Sequence, residues 1–184
     1  MTDSVTLEGT ILSESGPGYA AIDVELVMDS YRVKGELQSI GAPRRLVDVL
    51  NSVDGAFVIV HGGQLDDPLH EDDEPRKFEL VQVHLNTLLF AVPRSASQVH
   101  PDPFEIIQKV PVAATIALPG FEISGNVFLL PQIDPAGSQL LGSRHFVPMT
   151  DVTVTSATNR ACVWREPVIV VNLARALLFA PRGS

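Results

Sequence analysis

The sequence predicts an all-β chain built of two related strand-rich modules in tandem, with at most a short helix in each. Three observations predict it: apolar and polar residues alternate with a period of two, the chain matches itself at an offset of about 90 residues, and polar, proline-bearing stretches fall where strands and modules should end. A period of two is the strand signature because successive side chains leave opposite faces of a sheet.

The clearest strand covers residues 31–37. Tyr31, Val33, Gly35 and Leu37 face inward there, against Arg32, Lys34 and Glu36 outward. The same pattern returns at residues 121–127, with an aromatic start at Phe121 and a mid-strand Gly125. Upstream, residues 22–27 match residues 112–117, and downstream Phe57 and Val58 match Phe146 and Val147. The ends match best. Residues 88–94 return as residues 177–182 with one residue fewer, after apolar strands at 80–85 and 168–173. Glycine inside a strand weakens pairing but permits a bend or a close backbone approach, so Gly35 and Gly125 at matched places imply one shared geometric reason.

Helical spacing is confined to residues 44–52, where Leu46, Val49 and Leu50 share a face after Pro43. The matching stretch around residues 135–142 holds Gly137 and Gly142, which allow one turn at most. Residues 93–103 carry prolines and small polar side chains and read as an extended linker. The boundary is placed near Ser97, giving modules 1–96 and 97–184, with residues 5–13 as an extra strand before a turn at 16–18. A polar insertion at 66–75 reads as an exposed loop within the first module.

The order of elements in each copy is two strands joined near a glycine, a variable excursion, then three more strands. It resembles the small five-stranded barrel of Sm-like proteins. The run Leu46, Asp48, Leu50, Asn51 between the glycine strand and an aromatic strand also resembles an uncharacterised bacterial domain family. These resemblances imply two tandem Sm/SH3-like five-stranded β-barrel modules and ring-like self-association. RNA binding is not carried over: Asp48 and Asn51 stand three residues apart rather than four, and no Arg-Gly pair occupies residues 85–87 or 173–175. An SH3-like barrel or one continuous β-sandwich fits the same pattern.

The formal net charge of −9 sets the average field against phosphate backbones, so nucleic acid is a disfavoured partner. No apolar run approaches the roughly 18 residues of a spanning helix, and the first residues lack the basic and apolar regions of a signal peptide, so no membrane span is expected and the chain reads as cytoplasmic. The single cysteine, Cys162, makes no intramolecular disulfide and is expected as a small buried or half-buried thiol.

Sites of chemistry are equally sparse. The histidines His61, His70, His84, His100 and His145 show no i, i+4 pair; His61 and His84 facing each other across strands near His70 is the one arrangement that would gather three ring nitrogens. The acidic loop around Asp66, Asp67 and Glu71 to Glu74 matches no EF-hand, and neither a Gly-x-Ser-x-Gly elbow nor a glycine-rich phosphate loop occurs. No catalytic, cofactor-binding or metal-ligating residue is therefore assigned, no cofactor is expected, and the chain reads as no enzyme.

What stands out instead is the segment 167–181, apolar on both strand faces and more than a single small barrel buries within itself. Val170, Leu178 and Phe179 are its interface candidates, beside the structural candidates Gly35 and Gly125. The leading reading is a non-enzymatic, self-associating structural or scaffold protein, with a homo-oligomer or protein partner. The alternative is a protein- or small-ligand-binding module using the loops 39–51 and 131–145. An enzyme of unassigned class is the third.

Overall fold

The structure, a computed structural model, describes residues 19–40, 44–66, 74–95, 109–129, 145–159 and 161–182. The expected strand at 5–13, most of the acidic loop, the body of the linker, the second excursion at 131–144, His70 and His100 lie outside the described residues.

In chain order the elements are β1 (Tyr19–Met28), β2 (Arg32–Ile40), α1 (Leu46–Asn51), β3 (Phe57–Asp66), β4 (Arg76–His84), β5 (Leu88–Pro93), β6 (Val110–Leu118), β7 (Phe121–Leu129), β8 (Phe146–Ser156), β9 (Val163–Asn172) and β10 (Leu178–Pro181). Single 3-10 turns, Leu85–Thr87 and Leu173–Arg175, join β4 to β5 and β9 to β10. The all-β class is as the sequence predicts. No helix among the described residues is long and apolar enough to cross a membrane.

All ten strands join one antiparallel sheet in the order β10-β6-β7-β8-β9-β5-β1-β2-β3-β4. The first five strands therefore run β5-β1-β2-β3-β4 and the second five β10-β6-β7-β8-β9, the same order. The sheet is open: among the described residues β4 and β10 each pair on one side only. Closure into two separate five-stranded barrels is not part of the hydrogen-bonded pattern. Instead β5 bonds to β1 on one side and to β9 on the other, where Phe90 stands opposite Val171 and Ala91 opposite Val170.

The registers of the two strand sets coincide. Val24 lies between Gly35 and Pro93, and Ala114 between Gly125 and Pro181. Pairing of β2 with β3 shifts between Lys34 and Glu36, and pairing of β7 with β8 shifts between Ser124 and Asn126, so each glycine sits at the irregularity. The cause is steric. A Cβ at Gly35 would stand 2.6 Å from the His61 carbonyl oxygen, and one at Gly125 would stand 2.8 Å from that of Thr150. Just beyond, Gly62 (φ 59) and Asp151 (φ 52) take the left-handed conformation that turns the bulged strand.

Three expectations are corrected. Val33 and Leu37 are buried and Lys34 and Glu36 exposed as expected, but Tyr31 precedes β2 and is exposed. Within the expected stretch 44–52, the helix is the six residues of α1, and it buries Val47 as well as Leu46, Val49 and Leu50. The match of Leu88, Leu89, Phe90, Ala91 to Leu177, Leu178, Phe179, Ala180 is out of step by one: Phe90 faces Val27, whereas Phe179 faces Ile116, whose counterpart is Leu26. By register, Leu178 is the counterpart of Phe90.

Two apolar clusters form the core. One gathers residues of β1 to β4 and α1, including Leu26, Leu37, Leu50 and Val60, and is joined by Phe146 and Val170 from β8 and β9. The other gathers β6 to β9, including Ile116, Ile123, Met149 and Ile169, and is joined by Val27, Leu89, Phe90 and Val92 from β1 and β5. Each half of the sheet thus completes the core of the other.

Candidate functional site

The feature the fold positions with most care is the seam where β5 meets β9. It starts from two apolar runs: β5 is buried from Leu88 to Val92, and β9 is buried from Ile169 to Val171 ahead of the buried Asn172. Ala91 and Leu88 pack into the first cluster and Phe90, Leu89 and Val92 into the second, so apolar side chains on both faces of β5 find cover. Phe90 makes an edge contact with Phe121 at 5.4 Å between centroids, Phe121 does the same with Trp164 at 6.0 Å, and Arg32 lies 5.5 Å over the Trp164 ring.

Polar groups close the seam at its ends. Arg94 donates to Glu25 (2.6 Å) and to Glu166 (3.0 Å), joining two nearly buried carboxylates that would otherwise repel. Burial works against the Arg94 charge, but the hydrogen bonds and charges of Glu25 and Glu166 outweigh it and raise its pKa. Asn51, last residue of α1, donates to the Phe146 carbonyl (2.9 Å) and accepts from the Phe146 amide (3.1 Å), like one more strand residue. Asn172 is buried, caps its own 3-10 turn by accepting from Ala174, and donates to the carbonyls of Leu85 (3.1 Å) and Leu88 (2.9 Å). Arg175 reaches across to Asp29 (2.8 Å) and the Asn86 carbonyl (3.1 Å).

The outer face of β8 and β9 is thereby covered by α1 and β5. Among the described residues nothing covers the matching face of β3 and β4 in that way. Phe146 is 3% exposed, while its counterpart Phe57 is 48% exposed. Ile59 and Leu80 share that face with Phe57, since the register puts Ile59 opposite Gln82 and His61 opposite Leu80. At the other end of the sheet Leu178, counterpart of the fully buried Phe90, is 53% exposed, and Leu177 stands out beside it.

Val170 lies in the seam, opposite Ala91; Leu178 and Phe179 lie on β10, which pairs on one side only among the described residues; Gly35 and Gly125 lie at the two bulges. The structure brings none of the last four to the seam. His61 and His84 do not face each other: the register sets them opposite Leu80 and Phe57, and the His84 ring packs edge-on to Phe57 at 4.8 Å. Among the described residues no group of His, Cys, Asp and Glu is placed to hold a metal ion. Cys162 is exposed, contrary to expectation, because it falls in the turn between β8 and β9.

Sequence reading passed over Asn172, and it marked Asn51 only as part of a motif resemblance and Arg94 only as the end of a repeated segment, without the bonds they make. Proline followed by arginine ends both β5 and β10, which marks Arg94 and Arg182, but the carboxylates that Arg94 holds are 69 and 72 residues away. Beside the seam lies a cleft of about 770 Å³ lined by Ile22, Leu46, Pro93, Pro167 and Val170 among others, with Arg44 and Arg45 at its side. Comparison of the chain with protein-family models, with curated proteins and with solved structures finds no match.

Proposed function

We propose that this is a non-enzymatic, self-associating structural or scaffold protein made of two copies of one five-strand unit, each a small barrel in type. The duplication is supported by the shared strand order, the coincident registers and the paired glycine bulges. The reading of function is carried by a single observation: Phe57, Ile59 and Leu80 form an exposed apolar face on the edge pair β3 and β4, at the place where the other half buries Phe146 and Val170. A contiguous exposed apolar face beside an unpaired strand edge marks an association surface, since left in water it invites uncontrolled pairing.

Size-exclusion chromatography with light scattering tests the proposal. Assembly gives a mass that is a multiple of the 19.9 kDa chain and falls on dilution. A mass of one chain at high protein concentration overturns it.

The cleft beside the seam favours a second reading, a module that binds a small apolar ligand, because mostly apolar concavities with a few cationic groups at the side suit such ligands. An environment-sensitive dye that brightens with the protein and is displaced by Val168→Trp, filling the cleft, would favour it. A dye indifferent to both would remove it.

A further inference from the structure

We infer that the free edges β4 and β10 are the two sides of a second seam, formed head to tail between copies of this chain on the pattern of the internal one. The inference rests on the self-association proposed above and supplies its geometry: β10 of one copy adds to β4 of the next, with Leu178 opposite Val83 and Phe179 opposite Gln82.

The register equivalences fix that prediction. Strand β4 stands to β3 as β9 stands to β8: Val60 is opposite Val81 and Met149 opposite Ile169, so Val83 and Gln82 occupy the places of Val171 and Val170. On the other side Pro93 and Pro181 share a place, as do Phe90 and Leu178, and Ala91 and Phe179. Arg94 and Arg182 also match, their backbone amides donating to the carbonyls of Asp23 and Ala113. The internal contacts Phe90 to Val171 and Ala91 to Val170 thus translate directly into the intermolecular pairs named above.

The chemistry at translated positions fits. Internally Phe90 packs on Phe121, Phe121 on Trp164, and Arg32 lies over Trp164. Translated, Leu178 of one copy meets Tyr31 of the next and Glu122 meets Arg76, an apolar contact and an ion pair in place of the internal cation–π pair, while Tyr31 and Arg76 take the places of Phe121 and Trp164 on the same copy. Tyr31 and Leu178 are both exposed in the single chain, although both are large and at least partly apolar, which this contact explains.

The cap residue translates as well. Asn172 caps its turn with Oδ1 and spends its Nδ2 donors on the Leu85 and Leu88 carbonyls across the seam. His84, in the same place on β4, accepts from the Asn86 amide through Nδ1 (3.1 Å), which leaves Nε2–H of the neutral ring to donate to the next copy's Leu173 or Ala176 carbonyl. The charged part of β4, with Arg76, Lys77 and Glu79, does not obstruct the contact: the internal seam uses only the end of β9 at Val170 and Val171, which corresponds to Gln82 and Val83. Charges on the remaining edge block pairing in other registers.

Such a contact joins two different surfaces and is heterologous, so repetition produces a closed ring or an open filament. Two contacts present inside one chain are missing from the translated seam: the Arg94 bridge, because Phe78 stands where Glu166 does, and the Arg175 to Asp29 pair. The intermolecular seam is therefore the weaker of the two.

The test uses complementary variants of the full chain, Phe57→Lys and Leu178→Lys, each spoiling one of the two surfaces. By light scattering each variant alone is expected at the mass of one chain. An equimolar mixture is expected at the mass of two, because one molecule brings an intact β4 face and the other an intact β10 edge. Far-ultraviolet circular dichroism verifies folding, and Phe57→Ser with Leu178→Ser replaces the pair should lysine unfold either chain. In a Cys162→Ser background, Gln82→Cys and Phe179→Cys chains should cross-link to each other and not to themselves. Wild-type assembly with no dimer in the mixture, or Gln82→Cys cross-linked to itself, overturns the head-to-tail contact while self-association stands. A wild-type protein that stays at one chain overturns both.

Discussion

The outer face of β8 and β9 and the outer face of β3 and β4 are built on one plan and end differently. In the first, Phe146, Val170 and Asn172 are sealed under α1 and β5; in the second, Phe57, Gln82 and His84 occupy the same register and meet solvent. The substitutions follow the exposure. Where cover is permanent the chain places Val170, whose burial is favourable, and Asn172, whose donors both find carbonyls. Where the surface must also survive uncovered it places Gln82 and His84, which water solvates when no partner is present. One backbone arrangement thus serves as a fixed joint or as an open surface, according to a few side chains.

The sharpest way to break that comparison is to put one charge at the matched pair. Val170→Lys places an ammonium in a site only 2% exposed with no carboxylate aimed at it, and should cost on the order of 3–5 kcal/mol, enough to unfold a marginal domain. Gln82→Lys, at an exposed position, should change stability by less than about 0.5 kcal/mol. Urea unfolding of the two variants under conditions where the wild type is a single chain measures the difference. Equal losses would mean that β4 is covered already, and the two faces would then not be a fixed joint and an open surface.

The glycine bulges sharpen the comparison at a second place, since both halves use them but not with equal clearance. At Gly35 a Cβ would stand 2.6 Å from both the His61 carbonyl oxygen and the Val60 Cγ1; at Gly125 it would stand 2.8 Å from the Thr150 carbonyl and 3.1 Å from the Val152 Cγ2. Valine at either position should destabilise by on the order of 1–3 kcal/mol, with Gly35→Val the more costly. Thermal or chemical denaturation of the pair decides it, and free tolerance of valine at either position would remove the bend from the account of the fold.

Why some of this was legible in the sequence and some not follows from the range of the interactions. Alternation over residues 31–37 and 121–127 reports a local period, so β2 and β7 could be read directly, and the self-match pointed to a partner strand set of the same order. The mid-strand glycines signalled a close approach without naming what approached. The approach is made by β3 and β8, about 25 residues on in each half, and the residue that turns each bulge is Gly62 in one half and Asp151 in the other, with no common letter to find. The seam was legible only as a surplus of apolar residues in 167–181: β9 found its cover in β5, while β10 kept Leu177 and Leu178 exposed. Pairing of β5 with β9 joins residues 79 and 81 apart and leaves no trace in local pattern.

Gly62 and Asp151 provide the smallest and most specific test of the matched plan. Both sit in the left-handed region, where an L side chain crowds its own backbone at a cost of roughly 1–2 kcal/mol unless a local hydrogen bond offsets it. Nothing lies within 4 Å of a Cβ at Gly62, so Gly62→Ala isolates the backbone cost and should lower stability by about 1 kcal/mol. Asp151 already bears a side chain there and tolerates it because Asn126 donates to its Oδ2 at 3.1 Å. Asp151→Gly loses that bond and relieves the crowding together, so the net change should stay within about 0.5 kcal/mol; Asp151→Ala keeps the crowding, loses the bond and should cost about 1 kcal/mol. Asn126→Ala removes the bond from the other side and should make Asp151→Gly the stabilising change of the two. If Asp151→Ala is as stable as the wild type in that series, the β8 bulge is not held by the device proposed for it, and the two halves bend for different reasons.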